Sequence, residues 1–388
     1  MLKVGLIRLA GQRPDLLPGY AWPQSLKSKV IAGFETVSGG YECDGRLLSK
    51  FEIQETRGAI ERLLNHGVEA ISVVGTFSPL NGDQEMEVAR LVEEMVGNSF
   101  PLTLSSKIGG LGFLERENAT ILNSALQRVV QSGFQALEVQ LRKLGIQAPL
   151  YMIHNDGSIM DLEFAIKYPI FTISSGQTNS FRGAVHLAGC QDAVVVDIGG
   201  TSSDIGLVTN GFAKRSCHAA TIGGVKLHFA MPDVVSLAIG GGTVIRGDTI
   251  GPDSVAKGLR HESQCYGGDI LTLTDVALKL GLMHIADGDD EKVVLEYSKA
   301  FFIMKEITTR LEAAIAIVKG KNRHLPTLAV GGAASLFQNS SIDVDHSNVA
   351  NALGAVLAEV SSTVDVVTTL DDRKKILDEL KEKAIRNA

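Results

Sequence analysis

The 388-residue sequence is poor in aromatic residues, at 5%, and contains only four cysteines. The cysteines are scattered and form no CxxC pair, which argues against a disulfide framework or a structural zinc site and favours a reducing compartment. The net charge is −7 and no basic patch carries interleaved aromatics, which argues against a nucleic-acid partner. No apolar run approaches the roughly 18 residues of a membrane span, and the apolar start before Arg8 is too short for a signal peptide. These absences predict a soluble cytoplasmic protein with no nucleic-acid or membrane partner.

The sequence also lacks a GxxxxGK[ST] phosphate loop and a GxSxG nucleophile elbow, which removes two large enzyme classes. It is rich in glycine instead. Its 41 glycines, ten prolines and 45% hydrophobic residues fit an α/β enzyme with many tight turns better than a helical bundle. A chain of this length has room for two domains.

Strand and helix patterns alternate in the first half of the chain, which indicates βαβ units. The pattern predicts strands over residues 4–9, 70–76, 102–105, 149–154 and 170–173, and helices over 56–65, 83–95 and 123–144. A new sheet begins at Ala193. We therefore place a domain boundary near residue 190, with an N-terminal α/β domain over 1–190 and a C-terminal domain over 191–388.

The most informative stretch covers residues 193–208. An apolar, β-branched run ends in Asp197-Ile198-Gly199-Gly200-Thr201, and a second apolar run follows at once, which predicts a β-hairpin. Glycines let the backbone approach a ligand, and the N–H groups of such a turn form a concavity that binds anions. Asp197 would repel a phosphate unless a divalent cation lay between them, so the motif indicates a Mg²⁺-nucleotide. An ordinary glycine-rich hairpin is the alternative.

Two further glycine turns follow this hairpin, each after an apolar strand, and the last opens toward a predicted helix. A run of glycines lets backbone amides reach a phosphate without side-chain obstruction. Three such turns predict a nucleotide cleft. Its cofactor-binding residues would be Gly199, Gly200, Thr201, Gly240, Gly241, Gly242, Thr243, Gly331, Gly332 and Ala333.

The order of these turns resembles the superfamily of actin, sugar kinases and heat-shock chaperone ATPases. Within it, the chain is similar to the hydantoinase A/5-oxoprolinase family in runs that spread over nearly its whole length. These runs are LERENA at 114–119, NDGS at 155–158, SSGQTNSFRGA at 174–184, DIGGTSSD at 197–204, IGGGT at 239–243, YGG at 266–268, LTLTD at 271–275 and VANALGA at 349–355. The resemblance implies an α/β, actin-like ATPase (ribonuclease H-like) fold of two domains.

One departure from the family pattern concerns the first phosphate hairpin. Members of the family normally begin with their own Asp-x-Gly-Gly-Thr motif, whereas this sequence contains one such motif, at Asp197. The resemblance therefore implies an incomplete first domain: either the chain is a truncated version, or the missing half of the phosphate site comes from a separate polypeptide.

The resemblance implies an activity as well: ATP-dependent opening of a five-membered cyclic amide, of the hydantoin or 5-oxoproline type, through a phosphorylated intermediate. ATP and Mg²⁺ would be the cofactors, a cyclic amide or carbonyl compound the substrate, and a hydantoinase B-type subunit the partner, with a homo-oligomer also considered. The alternatives are an ATP-dependent carboxylase subunit, a non-catalytic or partner-dependent nucleotide-binding protein, and a carbohydrate kinase.

Three carboxylates are the candidate catalytic groups. Asp197 is expected to hold Mg²⁺ directly or through water, and Asp204 would be a second carboxylate in the cleft or a residue that caps turn amides. Asp156 follows a predicted strand, beside His154 as a possible general base, where α/β enzymes place catalytic groups. An ordinary Asn-Asp-Gly turn is the alternative for Asp156.

The polar loop after residue 173 is the candidate substrate site. It could open a helix whose N-terminus binds an anion or the substrate carbonyl. The alternative is a simple N-cap by Thr178, Asn179 or Ser180. The substrate-binding candidates are Gly176, Thr178, Asn179, Ser180 and Arg182.

Four weaker signals complete the set. His218, His228 and Asp233 carry nitrogen and oxygen ligands for a divalent metal, although their spacing fits no tight motif. The run Glu115-Arg116-Glu117 predicts either a charged patch facing the cleft or an ion pair on a helix surface. Asp275 is expected to be a helix N-cap, and Cys217 and Cys265 to be buried, inert thiols.

Overall fold

The structure is a computed structural model that describes residues 1–10, 16–216, 220–227, 231–364, 366, 368 and 372–387. The first half of the chain forms a four-stranded parallel sheet with strand order β2-β1-β3-β4. Helices α1 to α4 connect and cover these strands, and every residue of β1 and β3 is buried, as expected for a parallel sheet covered on its faces. The elements are β1 (Val4–Leu9), α1 (Gln24–Val30), β2 (Ile31–Val37), α2 (Ile53–Asn65), β3 (Ala70–Gly75), α3 (Asp83–Val96), β4 (Leu102–Leu104) and α4 (Phe113–Lys143).

The predicted βαβ units are thus present in this half. The main difference is helix α4, which begins at Phe113, ten residues before the predicted start. Its first turns contain Arg116 and Glu117, which are 0% and 1% exposed. Charged residues at buried positions interrupt the apolar periodicity from which the helix start was inferred.

Both alternatives for the Glu115-Arg116-Glu117 run are wrong, because Arg116 and Glu117 lie inside the protein. The Arg8 guanidinium donates two hydrogen bonds to the Glu117 carboxylate, at 2.5 and 2.8 Å, in a fully buried ion pair. Arg116 donates to the carbonyl oxygens of Gly75 and Gly110 at 2.7 and 2.8 Å. Burial lowers the pKa of Arg116 to about 10. Arg116 thus connects the end of β3 to the loop before α4, and Arg8 connects β1 to α4.

A small antiparallel hairpin and two helices join the two halves of the chain. They are β5 (Tyr151–Ile153), β6 (Ile159–Asp161), α5 (Leu162–Lys167) and α6 (Ser175–Leu187). The predicted strand over residues 170–173 is wrong, because Pro169–Thr172 form a 3₁₀ turn. A short buried apolar run does not reveal its secondary structure by periodicity, and Pro169 pre-sets the first residue of a helical turn.

The second half builds a mixed sheet in the order β12-β8-β7-β15, with β9 paired to β8. The elements of this half are β7 (Ala193–Ile198), β8 (Ser203–Thr209), β9 (Phe212–Ala213), β10 (Ala220–Ile222), β11 (Val225–Leu227), β12 (Val234–Leu237), β13 (Thr243–Arg246), β14 (Thr249–Ser254), α7 (Leu259–Glu262), α8 (Leu273–Lys279), α9 (Tyr297–Lys319), β15 (Thr327–Val330), α10 (Ala350–Val356) and α11 (Arg373–Asn387). Strands β7 and β8 form the predicted antiparallel hairpin, and β15 runs parallel to β7.

The two faces of β7 pack against different helices. Val194, Val196 and Ile198 belong to the core cluster that includes Ile307 of α9. The alternate residues Ala193 and Val195 pack with Phe181 and Ala184 of α6. Because side chains alternate along a strand, Asp197 continues the row that faces α6.

Helix α8 begins with a capping box that differs slightly from the prediction. Thr272 is the N-cap, and Asp275, predicted to be the cap, is the N3 residue whose carboxylate accepts from the Thr272 backbone N–H at 2.7 Å.

The two sheets have separate hydrophobic clusters, and α6 packs on the second sheet although it precedes residue 190. The division at residue 190 stays a prediction. None of the helices in the described part of the chain combines the length and apolar composition needed to cross a membrane.

Candidate functional site

The three glycine turns meet at one end of the second sheet. The Gly241 N–H donates to the Gly199 carbonyl at 3.0 Å, and the Gly242 N–H donates to the Gly200 carbonyl at 2.7 Å. The third turn joins through the Ala333 N–H, which donates to the Ile198 carbonyl at 3.0 Å. The second and third turns lie roughly 40 and 130 residues after the first in the sequence, and their hydrogen bonds join the three turns into one continuous backbone surface around the hairpin.

Two of these glycines are required by close packing. A Cβ on Gly240 would lie 2.7 Å from the Gly199 oxygen and the Thr201 nitrogen. A Cβ on Gly331, which has φ +97°, would lie 2.4 Å from Asp197 Oδ1. Gly200 and Gly332 differ, because a Cβ on either would meet nothing within 4 Å. The glycines therefore make a tightly packed floor with open backbone at its edge, where a phosphate could approach.

The third turn does not open into an α-helix as predicted. A single 3₁₀ turn, Ala334–Leu336, follows Gly331-Gly332. Its backbone hydrogen bonds join residues three apart in the sequence: the Phe337 N–H donates to the Ala334 carbonyl, and the Ala334 N–H donates to the Gly331 carbonyl.

Two carboxylates stand side by side at the hairpin. Asp197 on β7 and Asp204 on β8 are directly opposite partners, so their side chains lie on the same face, toward α6. Burial raises the pKa of Asp197, a hydrogen bond from Ser180 opposes this, and the charge of Asp204 raises it further. Like charges directly opposite on a sheet destabilise it. A bound cation would remove this repulsion.

The Asp204 carboxylate has two further partners. Ser236, its opposite residue on β12, donates a short hydrogen bond to it. Gln177 Nε2 of α6 donates at 3.3 Å. Within the described residues, no group of three or more His, Cys, Asp and Glu side chains could hold a metal. A cation here would rest on two carboxylates and on oxygens from water and a ligand, which is the usual coordination of Mg²⁺.

The candidate substrate loop is the start of α6. Ser174 is the N-cap, at φ 66°, and its side chain makes no capping hydrogen bond. Thr178, Asn179 and Ser180 lie inside the helix, so the alternative that one of them is the N-cap is wrong. The first N–H groups of a helix lack intrahelical acceptors, and here no cap side chain satisfies them.

The substrate-binding candidates divide between different faces of α6. Ser180 contacts Asp197, and Asn351 Nδ2 of α10 donates to the Gly176 carbonyl at 2.8 Å and to Ser180 Oγ at 3.1 Å. Thr178 lies on another face, where its hydroxyl donates to the Asn155 carbonyl at 2.9 Å. The structure thus brings Ser180 to the hairpin carboxylates, Gly176 to Asn351 of α10, and Thr178 to the β5–β6 turn.

Asn179 and Arg182 have packing contacts of their own. The Asn179 carbonyl lies against Gly354 of α10. Arg182 pairs with Glu359 at 2.7 Å and lies over the Phe212 ring at 5.0 Å. Their roles in substrate binding stay predictions.

Asp156 lies in the β5–β6 turn, away from the hairpin carboxylates. Its carboxylate accepts from the Ser158 N–H and hydroxyl, at 2.9 and 2.6 Å, and from Arg215 at 3.3 Å. Burial would raise the pKa of Asp156, but His154 and Ser158 hold it well below the usual range. The strand before it belongs to a two-stranded antiparallel hairpin, so the expectation based on parallel sheets does not apply. Its catalytic role stays a prediction.

Three contacts at the site were missed in the sequence: those of Gln177, Ser236 and Asn351. Gln177 and Ser180 are three residues apart, which places them on one helical face once the helix start is known. Ser236 is found only through strand register, and Asn351 only through the packing of α10 on α6.

The weaker predicted sites have different outcomes. Cys217, His218 and His228 lie outside the described residues, and Asp233 pairs with Lys214 at 3.3 Å. Cys265 is buried, as predicted, and burial raises the pKa of its thiol to about 11.

Comparison with known families decides the family to which the chain belongs. The hydantoinase/oxoprolinase family matches residues 116–360, and the N-terminal region of hydantoinase/oxoprolinase proteins matches residues 2–96. The chain belongs to the hydantoinase/oxoprolinase family. Its glycine turns, the α6 start and the α10 contacts all fall within the 116–360 match.

Two characterised relatives carry different enzyme names. The chain is 26% identical over 260 residues to the acetophenone carboxylase gamma subunit of Aromatoleum aromaticum, covering 63% of this chain and 35% of that protein. It is 25% identical over 263 residues to the caprolactamase subunit alpha of Pseudomonas jessenii, covering 65% and 37%. The matched part spans just over a third of the length of these hydantoinase/oxoprolinase relatives.

Two solved structures share the fold. A nucleotide-free structure of acetone carboxylase, from work on ATP-dependent acetone carboxylation, superposes with TM-score 0.67 and 18% identity, covering all of this chain and 65% of that one. The ATP-dependent caprolactamase from Pseudomonas jessenii superposes with TM-score 0.72 and 18% identity, covering all of this chain and 64% of that one. The hydantoinase/oxoprolinase chain therefore has the expected actin-like ATPase type of α/β fold.

Proposed function

We propose that the chain is a subunit of an ATP-dependent enzyme that activates a carbonyl compound, and that its reaction is the opening of a cyclic amide of the hydantoin or 5-oxoproline type. The observation that carries the proposal is the meeting of three glycine turns around the Asp197–Asp204 pair. The caprolactamase relative supports an amide substrate.

The residues present fit a Mg²⁺-nucleotide. The open backbone at Gly200 and Gly332 leaves room for phosphates, and side chains at Gly240 or Gly331 would fill the floor. Asp197 and Asp204 would hold Mg²⁺, because the ion would offset both the burial of the Asp197 carboxylate and its repulsion by Asp204, which raise the pKa of Asp197. When bound, ATP supplies the phosphoryl group that converts an unreactive amide carbonyl into one that water attacks.

The chain's own groups then have positioning roles. Ser180 and Gln177 hold the two carboxylates in place from α6. The uncapped first N–H groups of α6 are donors toward which a substrate carbonyl oxygen could be oriented. Catalysis of this type depends mainly on such positioning and on stabilisation of charge.

The second candidate function is that of an ATP-dependent carboxylase subunit. It is favoured by the acetophenone carboxylase relative and by the fold shared with acetone carboxylase. Both candidates need the same nucleotide site, and they differ in whether bicarbonate is a substrate. The relatives are named as gamma and alpha subunits, which supports a partner, and we infer one of the hydantoinase B type.

An ADP-release assay distinguishes these functions. The chain, alone and mixed with a hydantoinase B-type subunit, is given Mg²⁺-ATP with 5-oxoproline or hydantoin, or with acetone or acetophenone plus bicarbonate. We expect a cyclic amide to stimulate ADP release at least tenfold, and Asp197→Asn to abolish the stimulation. Stimulation only by a ketone with bicarbonate would replace the amidase by the carboxylase. Binding of ATP without stimulation by any substrate would favour the non-catalytic alternative.

A further inference from the structure

A cavity lies apart from the glycine turns. It has a volume of about 650 Å³, opens to solvent, and is lined mainly by the loop after β4, the β5–β6 hairpin and residues 360–363. This volume is within the range of small-molecule binding sites. Helix α6 contacts the Asp204 carboxylate of the β7–β8 hairpin through Gln177 and the β5–β6 turn through Thr178. Different faces of α6 therefore contact the proposed nucleotide site and the hairpin that lines the cavity. The cavity is therefore separate from the proposed nucleotide site.

One wall of this cavity is a set of flat rings. The His154 ring stacks on Phe171, with centroids 4.7 Å apart and planes 28° apart. Phe164 continues the stack beyond Phe171, at 6.2 Å and 10°. Phe164 is 40% exposed and Tyr151, which also lines the cavity, is 53% exposed. In a chain with 5% aromatic residues, exposed rings gathered on one cavity wall offer stacking contacts to a planar ligand.

The charged groups of the cavity are unequally matched. The Asp156 carboxylate is paired with His154 and Arg215, at 3.0 and 3.3 Å. The Asp161 carboxylate accepts the Phe164 N–H at 2.6 Å, as the N-cap of α5. The Lys107 ammonium, also on the lining, has no ion pair or hydrogen bond to another described residue. Asp161 also has no ion pair, so Lys107 is the charged side chain of the lining that has neither an ion pair nor a hydrogen bond in the described part of the chain.

We propose that this cavity binds an aromatic ring that carries a carboxylate. The ring stacks on the exposed Phe164 ring at the end of this stack, and the carboxylate lies at the Lys107 ammonium. Stacking on an aromatic ring favours a planar ligand, and an ammonium group without a partner favours an anionic one. This site is independent of the nucleotide site and does not need the proposed function to be correct.

Titration of the whole chain with 2-naphthoate tests the proposal, with binding followed by calorimetry and by saturation-transfer NMR. Two related probes separate the ring from the charge: 2-naphthamide is flat but uncharged, and cyclohexanecarboxylate is charged but not flat. We expect 2-naphthoate to bind, and each related probe to bind at least tenfold more weakly.

Matched variants locate the binding. Lys107→Gln and Phe164→Leu should each weaken 2-naphthoate about tenfold, while Mg²⁺-ATP binding stays unchanged. The same substitutions at exposed positions elsewhere, Lys321→Gln and Phe302→Leu, should change nothing. The proposal is overturned if 2-naphthoate does not bind, if all three probes bind equally, or if the two cavity variants bind it as the wild type does. Unchanged Mg²⁺-ATP binding in these variants separates a failure here from a failure of the proposed function.

Discussion

Replacing Gly354 by alanine will destabilise the protein by at least about 3 kcal/mol, whereas the same substitution at Gly133 will stabilise it slightly. Gly354 lies where α10 crosses α6, and a Cβ there would be 1.8 Å from the Asn179 carbonyl oxygen. The contact is reciprocal, because a Cβ on Gly183 of α6 would be 1.9 Å from the Ala350 oxygen. Such overlaps with backbone atoms force the two helices apart, which makes this overpacking severe.

Gly133 is the matched control because it also lies inside a helix. It is exposed on α4, and a Cβ would meet nothing within 4 Å. Alanine there should add about 0.5–1 kcal/mol of stability through helix propensity alone. Urea unfolding followed by circular dichroism measures both variants. Equal stability of Gly354→Ala and wild type would show that α6 and α10 do not pack as described, and that α6 is not held against the carboxylates in this way.

The substitution Glu117→Gln should cost about 3–5 kcal/mol of unfolding free energy. It keeps the shape of the side chain but leaves the Arg8 guanidinium, 1% exposed, without a buried counter-charge. The control is Glu138→Gln on the same helix, whose ion pair with Arg142 is exposed on both sides. That change should cost no more than about 0.5 kcal/mol.

A double variant separates the charge from the packing. Arg8→Met combined with Glu117→Leu removes both charges together, and we expect it to be more stable than Glu117→Gln because no unpaired charge stays buried. Denaturant unfolding of the four proteins gives the comparison. A loss in Glu117→Gln as small as that in Glu138→Gln would contradict the buried ion pair.

Local patterns predicted much of the fold. The β7–β8 hairpin follows from its β-branched runs and glycine turn, and the first sheet from alternating apolar runs. The 170–173 segment and the start of α4 were misjudged because a buried apolar run and buried charges give no clear periodicity. The contacts of Gln177 and Ser236 with Asp204 depend on strand register and helix packing, which single-sequence patterns do not contain.

The central claim is that the Asp197–Asp204 pair holds the cation of a Mg²⁺-nucleotide. Asp197→Asn is a suitable variant because we expect it to fold at least as stably as the wild type, so that a loss of binding would not come from unfolding. The pKa of Asp197 in the folded protein lies above 3.8, the ordinary value for this carboxyl group. The folded state therefore disfavours the charged carboxylate, and the unfolding free energy falls as the pH rises from 3.8 through the folded-state pKa. The neutral asparagine avoids this penalty. At pH 7 the variant should therefore be at least as stable as the wild type, and this advantage should vanish as pH falls toward 3.8.

Calorimetric titration of a non-hydrolysable ATP analogue, with and without Mg²⁺, is the most direct measurement. We expect the wild type to bind the analogue at least tenfold more tightly with Mg²⁺, and folded Asp197→Asn to lose this dependence on Mg²⁺. Binding by the wild type that does not change with Mg²⁺, or that survives Asp197→Asn unchanged, would contradict the assignment of the carboxylate pair.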